Sequence, residues 1–421
     1  MFCGNCFRDN ALVSALRAQG HEVTMVPLYL PLTLDEPDQS EGAPIFYNGV
    51  NVYLGQNSPL YRKMPGWVRG MVGSERMLEL AAKRVGKTKA EDVGELTISM
   101  LQGEEGRQAR ELEELISWLK TQPKPDVVCL SNSLLLGMAR RLKEALDVPL
   151  VCLLQNEAPY IDSMSEELRG EVWALMAQRA EAVDRFIAPS KYYADIMRDK
   201  LSLPAGRMEV VYNGINLEGF EAAKVAPSPA VIGYFSRMCK DKGLDTLIDA
   251  FIKLKQDNHI PRLRLKIGGG CGPGDEGFVE RMRGRLHATA LLGDVEFHPN
   301  VSRAEKQAFL KSLSVLSVPA QFGEAFGFYV VEAMAAGVPV VQPKCAAFPE
   351  LVDATGGGMC YTHSGEGSLA AAIEKMLFKP EDAKAMGLKA REAVREKFSI
   401  EAMANAMVKI FGKLNPKPRE A

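Results

Sequence analysis

Hydrophobic positions fall into two alternating kinds of run. Short apolar runs at Asp126–Leu130, Pro149–Leu154, Arg185–Ala188 and Glu209–Tyr212 read as strands, with helical periodicity between them at Leu134–Leu146, Ser165–Ala182 and Lys191–Lys200. The same rhythm returns downstream. Strands are predicted at Ala230–Phe235, Leu263–Ile267, Val295–His298, Leu313–Val318 and Val338–Val341, and helices at Leu244–Lys255 and Phe328–Ala336. Three helices, Leu369–Phe378, Glu381–Lys397 and Ile400–Leu414, finish the chain. Alternation of this kind predicts parallel sheets in doubly wound α/β domains, with ligands at the carboxyl ends of the strands.

The start reads differently. Asp9 or Asn10 is placed to cap a helix whose apolar face includes Leu12 and Leu16, and Gly20-His21 ends it. Glu22–Tyr29 then reads as a buried strand, Val50–Tyr53 as a short one, and Glu111–Lys120 as an amphipathic helix with Leu112, Leu115, Ile116 and Leu119 on one face. A doubly wound sheet begins with a central strand, and none precedes the first helix here. Each backbone group left unpaired would cost about 1–3 kcal/mol. The sequence therefore carries the expectation that Met1 is an internal methionine of a longer protein, or that the chain is truncated.

At 421 residues the chain exceeds one ordinary core, so two domains are expected. Lys plus Arg at 51 against Asp plus Glu at 53 imply no general attraction to nucleic acid. No apolar run approaches the roughly 20 residues of a membrane span, and no signal-peptide pattern opens the chain. A cytoplasmic location is expected. The cysteines (3, 6, 129, 152, 239, 271, 345, 360) are scattered and suit reduced thiols. The single C-x-x-C at Cys3 and Cys6 has no second pair, so zinc is not expected. Residues 61–89 are basic, with eight Lys or Arg against Glu75 and Glu79, and Trp67 lies among them. They suit either a solvated helical face or a peripheral contact with anionic headgroups at the inner face of a membrane.

The densest pattern is Val318–Gln342, read as strand, glycine-broken loop, helix and strand, with Gly337 as the stop. Glu324 lies in its loop and Glu332 in its helix. Eight helical positions would separate them by roughly 12 Å, a span one nucleotide sugar could bridge. The N–H groups of 325–328 would open a helix N-terminus suited to anions.

The string Glu324-Ala-Phe-Gly-Phe-Tyr-Val-Val-Glu332, followed by Ala-Met-Ala-Ala-Gly337, resembles the signature of retaining glycosyltransferases of family four, which have the GT-B fold. The resemblance implies two Rossmann-like doubly wound domains facing a cleft, with a last helix crossing back to the first domain. It places the acceptor-side domain at 1–216, a linker at 217–229, the donor domain at 230–398, and the crossing helix and tail at 399–421. It implies a nucleotide-sugar donor, an unspecified glycan, lipid or small-molecule acceptor, and no cofactor. Glu324 would hold the donor sugar and Glu332 the ribose. Arg237 and Lys242, in Ser236-Arg-Met-Cys-Lys-Asp-Lys-Gly243, would grip the diphosphate. Gly4, Gly269, His298, Gly323, Ala325, Phe326 and Gly327 would line the donor site. Where the family carries an acceptor-facing histidine, this chain has Leu153-Leu-Gln-Asn-Glu157, so Gln155 and Glu157 stand as substitutes. Glu350 suits either a helix start or a donor contact.

No D-x-D pattern is present, so no metal is expected. No G-K-[ST] follows a P-loop spacing. A nicotinamide-dependent oxidoreductase needs G-x-G-x-x-G after a strand, and no such fingerprint is read here. The rival readings are a sugar-nucleotide-binding pseudoenzyme and another GT-B enzyme, such as a hydrolysing epimerase or a phosphorylase.

Overall fold

The computed structural model describes residues 4–29, 36–40, 42–47, 90–362 and 368–415. Helix α1 (Gly4–Ala18) begins earlier than its sequence suggests, so Asp9 and Asn10 lie inside it rather than capping it. The reason is tertiary. Asn10 is buried, donates to the Pro37 carbonyl at 3.0 Å, and accepts from the Gln39 N–H at 2.8 Å. The stretch 22–29, expected as a strand, pairs with no strand among the described residues. Its groups are taken up individually: Leu28 accepts from the Tyr47 N–H, and Val23 from the Arg17 guanidinium. The predicted strand Val50–Tyr53, the basic stretch 61–89 and residues 1–3 lie outside the described residues.

Helices α2 (Ala90–Gln102) and α3 (Ala109–Leu119) lead into the first sheet. Strand β1 (Val128–Leu130) is followed by a 3-10 turn, Ser133–Met138, which passes into α4 (Ala139–Leu146). Then come β2 (Leu150–Leu153), α5 (Glu157–Asp162), α6 (Glu166–Ala180), β3 (Arg185–Ala188), α7 (Lys191–Lys200) and β4 (Met208–Val210). The four strands are parallel and lie in the order β1-β2-β3-β4.

The second sheet starts with β5 (Val231–Phe235), α8 (Leu244–Asp257), β6 (Arg264–Gly269) and α9 (Glu276–Ala288). It continues through β7 (Val295–Pro299), α10 (Arg303–Lys311), β8 (Val315–Leu316), α11 (Phe328–Ala335) and β9 (Val340–Pro343). Helix α12 (Phe348–Thr355) and β10 (Gly358–Tyr361) complete it. Strand order is β10-β9-β8-β5-β6-β7, all parallel. Chain progression therefore reverses at β5, which lies between β6 and β8. A crevice opens outside the carboxyl ends of strands at such a reversal.

Helices α13 (Leu369–Leu377), α14 (Pro380–Lys397) and α15 (Ile400–Leu414) close the chain. Helix α15 crosses back to the first sheet. Met403, Met407 and Ile410 pack with Leu12 and Leu16 of α1 and with Val151, Leu153 and Ile187 of β2 and β3. The architecture is thus two parallel-sheet α/β layers joined by a crossing helix. Among the described residues no helix is long and apolar enough to cross a membrane.

The carboxyl edges of the two sheets face each other. Ser190, just past β3, donates its hydroxyl to the Ala325 carbonyl at 2.6 Å. Glu350 of α12 accepts the Lys191 N–H at 3.0 Å and the Tyr212 hydroxyl at 2.9 Å. Glu350 thus caps α7, a helix that belongs to the other sheet.

Candidate functional site

Most of the chemistry predicted from the sequence gathers at the β5/β8 reversal. Arg237 follows β5, and its backbone carbonyl is tied down by the Tyr234 hydroxyl at 2.7 Å. The guanidinium pairs with Asp275 at 2.9 Å, yet stays 65% exposed while Asp275 is 7% exposed. The Arg237 hydrogen bonds hold the Asp275 carboxyl below its ordinary range, and Asp275 raises Arg237 in turn. This anchored cation projects into solvent.

Lys242 stands just before α8, and Glu324 lies in the loop between β8 and α11. The two are 82 positions apart, yet Lys242 Nζ bonds Glu324 Oε1 in a half-buried ion pair. The Tyr329 hydroxyl donates to the same oxygen at 3.3 Å. Burial, with Glu324 beside it, keeps that phenol protonated well above its ordinary value. Glu324 is therefore oriented by two partners and largely withdrawn from water.

Gly323 and Gly327 bracket the turn into α11. Gly327 is the N-cap at φ +96°, a conformation other residues rarely adopt. The N–H groups of Ala325, Phe326 and Gly327 donate to no carbonyl among the described residues, so they remain available at the helix start. The Ala325 and Phe326 side chains are buried, and Phe326 packs on Phe328 and Phe398 at 5.2 and 6.1 Å. Only their backbone can meet a ligand.

Glu332 lies one turn into α11, and its Oε1 accepts from Lys306 Nζ of α10 at 2.6 Å. Gly269 ends β6 at φ +122°, where a side chain would run into the Ser236 carbonyl. Asn300 clamps the following turn, accepting from the Cys271 N–H at 2.9 Å and donating to the Cys271 carbonyl at 2.8 Å. His298 lies next to the end of β7, half-exposed, with its ring edge-on to Phe309 at 5.4 Å.

The remaining sequence candidates sit elsewhere. Gly4, expected to line the donor site, is the first residue of α1. Gln155 and Glu157 lie at the carboxyl edge of β2 but are turned inward. Gln155 donates to the Ser131 carbonyl at 3.0 Å. Glu157 accepts from the Ser133 and Gln155 N–H groups, both at 2.8 Å, and from the Tyr193 hydroxyl at 2.9 Å. Its carboxylate is built into the domain.

Sequence reasoning missed Asp275, Asn300, Lys306 and Tyr329 as site residues. Only Lys306 had a local signal, since the capping box Ser302-x-x-Glu305 announces the helix that carries it. One glycine spacing needs correction. G-x-G-x-x-G does occur at Gly272, Gly274 and Gly277, past the end of β6. Gly277 lies inside α9, and a side chain at Gly274 would meet nothing within 4 Å. These glycines are not demanded by close packing, as a dinucleotide fingerprint requires.

Residues 218–393 match the family glycosyl transferases group 1, and residues 79–218 match glycosyltransferase family 4. The chain belongs to the group 1 glycosyltransferases. Glycogen synthase of Mycobacterium tuberculosis is 25% identical over 307 residues, spanning 70% of this glycosyltransferase and 72% of that protein. Sucrose-phosphate synthase from Thermosynechococcus elongatus superposes with a TM-score of 0.60 at 22% identity, over 72% of this chain and 78% of the other. Anabaena HepE, in a crystal structure with UDP, gives 0.63 at 20% identity, over 74% and 85%. Both superpositions show the GT-B fold.

Proposed function

We propose that this glycosyltransferase binds a nucleoside-diphosphate sugar across the β5/β8 reversal and passes the sugar to an acceptor held between the sheets. The observation that carries this is the meeting of Lys242, from beside β5, with Glu324, from beyond β8. Their pairing brings a cation and a sugar-facing carboxylate to one point of the crevice. Arg237 and Lys242 face the diphosphate, the N–H groups at 325–327 assist, and Glu332 takes the ribose. Gly269, Gly323 and Gly327 let backbone approach the donor, and His298 lies toward the nucleobase. The UDP in the HepE structure is in keeping with a nucleotide leaving group.

The proposed chemistry keeps the anomeric configuration and needs no metal. As the bond from the anomeric carbon to phosphate breaks, negative charge grows on the departing oxygen. Arg237, Lys242 and the α11 N-terminus stabilise it more than they stabilise the bound donor. Glu324 is committed to Lys242 and Tyr329, so it is poorly placed to act as base. The departing phosphate oxygen instead takes the acceptor hydroxyl's proton while the new bond forms on the same face.

Thermal shift against UDP, GDP and ADP identifies the base. A ligand at 100 times its dissociation constant should add about 2.7 kcal/mol. With the donor so found, an anomeric NMR assay should show retention, and excess EDTA should leave turnover intact. Inversion would overturn the retaining reading. Activity lost to EDTA and restored by manganese or magnesium would overturn the metal-free one.

A further inference from the structure

Glu332 is the one acidic residue of α11, whose buried positions are apolar apart from Tyr329. It is 16% exposed, and its partner Lys306 is 19% exposed. Lys306 comes from α10, a helix whose register is set by the Ser302 capping box. The ammonium holds Oε1, and Oε2 has no partner among the described residues. A carboxylate on its own would rotate about its side-chain bonds. One oxygen pinned by a cation leaves the other pointing in a fixed direction, ready to accept a hydroxyl.

We propose that Lys306 is a positioning residue that makes Glu332 a fixed acceptor for a ribose hydroxyl, and so sets the preference for ribo- over deoxyribonucleotide donors. The inference rests on the reading of Glu332 as the ribose contact. Lys306 acts through the carboxylate, while the base and the sugar are read elsewhere in the crevice. Its loss should therefore change discrimination at the ribose and little else.

The test measures binding of the preferred nucleoside diphosphate and of its 2′-deoxy and 3′-deoxy analogues by calorimetry. Wild type should bind one deoxy analogue on the order of tenfold or more weakly, the effect of losing one hydrogen bond to a charged group. Lys306→Met should bring that ratio to within about threefold, and Lys306→Arg should restore it. With natural donor, Lys306→Met should raise KM and leave kcat near wild type. Lys306→Gln serves as a second neutral variant where Lys306→Met does not fold. A wild type that discriminates, together with neutral variants that keep the full ratio, would reduce Lys306 to packing and overturn the inference alone. A wild type that ignores both hydroxyls would overturn the ribose reading of Glu332 and the inference with it.

Discussion

The two carboxyl edges that face each other use polar residues in opposite ways. At the edge of the first sheet, Glu157 is buried and its oxygens accept from Ser133, Gln155 and Tyr193. Burial pushes the Tyr193 phenol well above its ordinary value, so it stays a donor. At the edge of the second sheet, Arg237 leans on a buried Asp275 yet keeps most of its own surface in solvent. One edge spends its hydrogen-bonding capacity on itself. The other holds one partner of each pair rigid and leaves capacity for a ligand. Buried carboxylates are common to both edges, so burial alone does not identify a site. What separates them is whether the pair leaves donors or acceptors unspent.

The largest expected effect breaks the second edge. Lys242→Ala should weaken nucleoside-diphosphate binding roughly 10–150-fold, the range for losing a hydrogen bond to a charged group. It also leaves Glu324 without its cation. Glu324→Gln should lower kcat by at least about 100-fold while free nucleoside diphosphate, which has no sugar, binds as in wild type. Calorimetry and initial rates separate the two. Equal nucleotide affinity for Lys242→Ala and wild type would remove Lys242 from the diphosphate site.

The same conservative change at the first edge should act on stability instead. Glu157→Gln replaces an acceptor by a donor facing N–H groups, and should cost about 1–3 kcal/mol of unfolding free energy. Chemical denaturation reads this directly. Full stability with lost acceptor turnover would instead make Glu157 an acceptor contact.

The smallest effect concerns the bridge between the edges. Burial, with the Glu350 hydrogen bond, raises the Tyr212 phenol to about 12. A raised folded value gives stability that is complete below the unfolded value near 10 and lost as pH climbs to about 12. Tyr212→Phe should therefore flatten part of the loss of melting temperature across that window. The expected change is a few degrees at most, because Tyr212 is only partly buried. An unchanged alkaline profile would show that the Tyr212–Glu350 bond does not couple the sheets.

Strong local signals were legible. Strand β3, helix α7 and helix α15 have the bounds their periodicity predicts, because capping serines and continuous apolar faces agree there. The motif from Glu324 to Glu332 sits where its pattern places it, at the start of a glycine-capped helix. Misreadings arose where side chains had long-range partners. Asn10 looks like a cap until its bonds to residues 37 and 39 are seen. Residues 22–29 have the composition of a strand but pair with no strand among the described residues. Helix α9 carries few apolar residues, so its periodicity is faint.

The sequence by itself determined the α/β alternation, the family and the candidate site residues, since these depend on local periodicity and on one contiguous motif. Tertiary structure alone decided which of those side chains are available. Lys242 meets Glu324 only because β5 and β8 are neighbours, a pairing between positions 82 apart. Glu350 caps a helix of the other sheet because the two carboxyl edges close on each other. Lys306 reaches Glu332 because α10 packs beside α11. A carboxylate's role is set by what spends its lone pairs. In a fold built from long-range strand pairing, those partners come from distant parts of the chain.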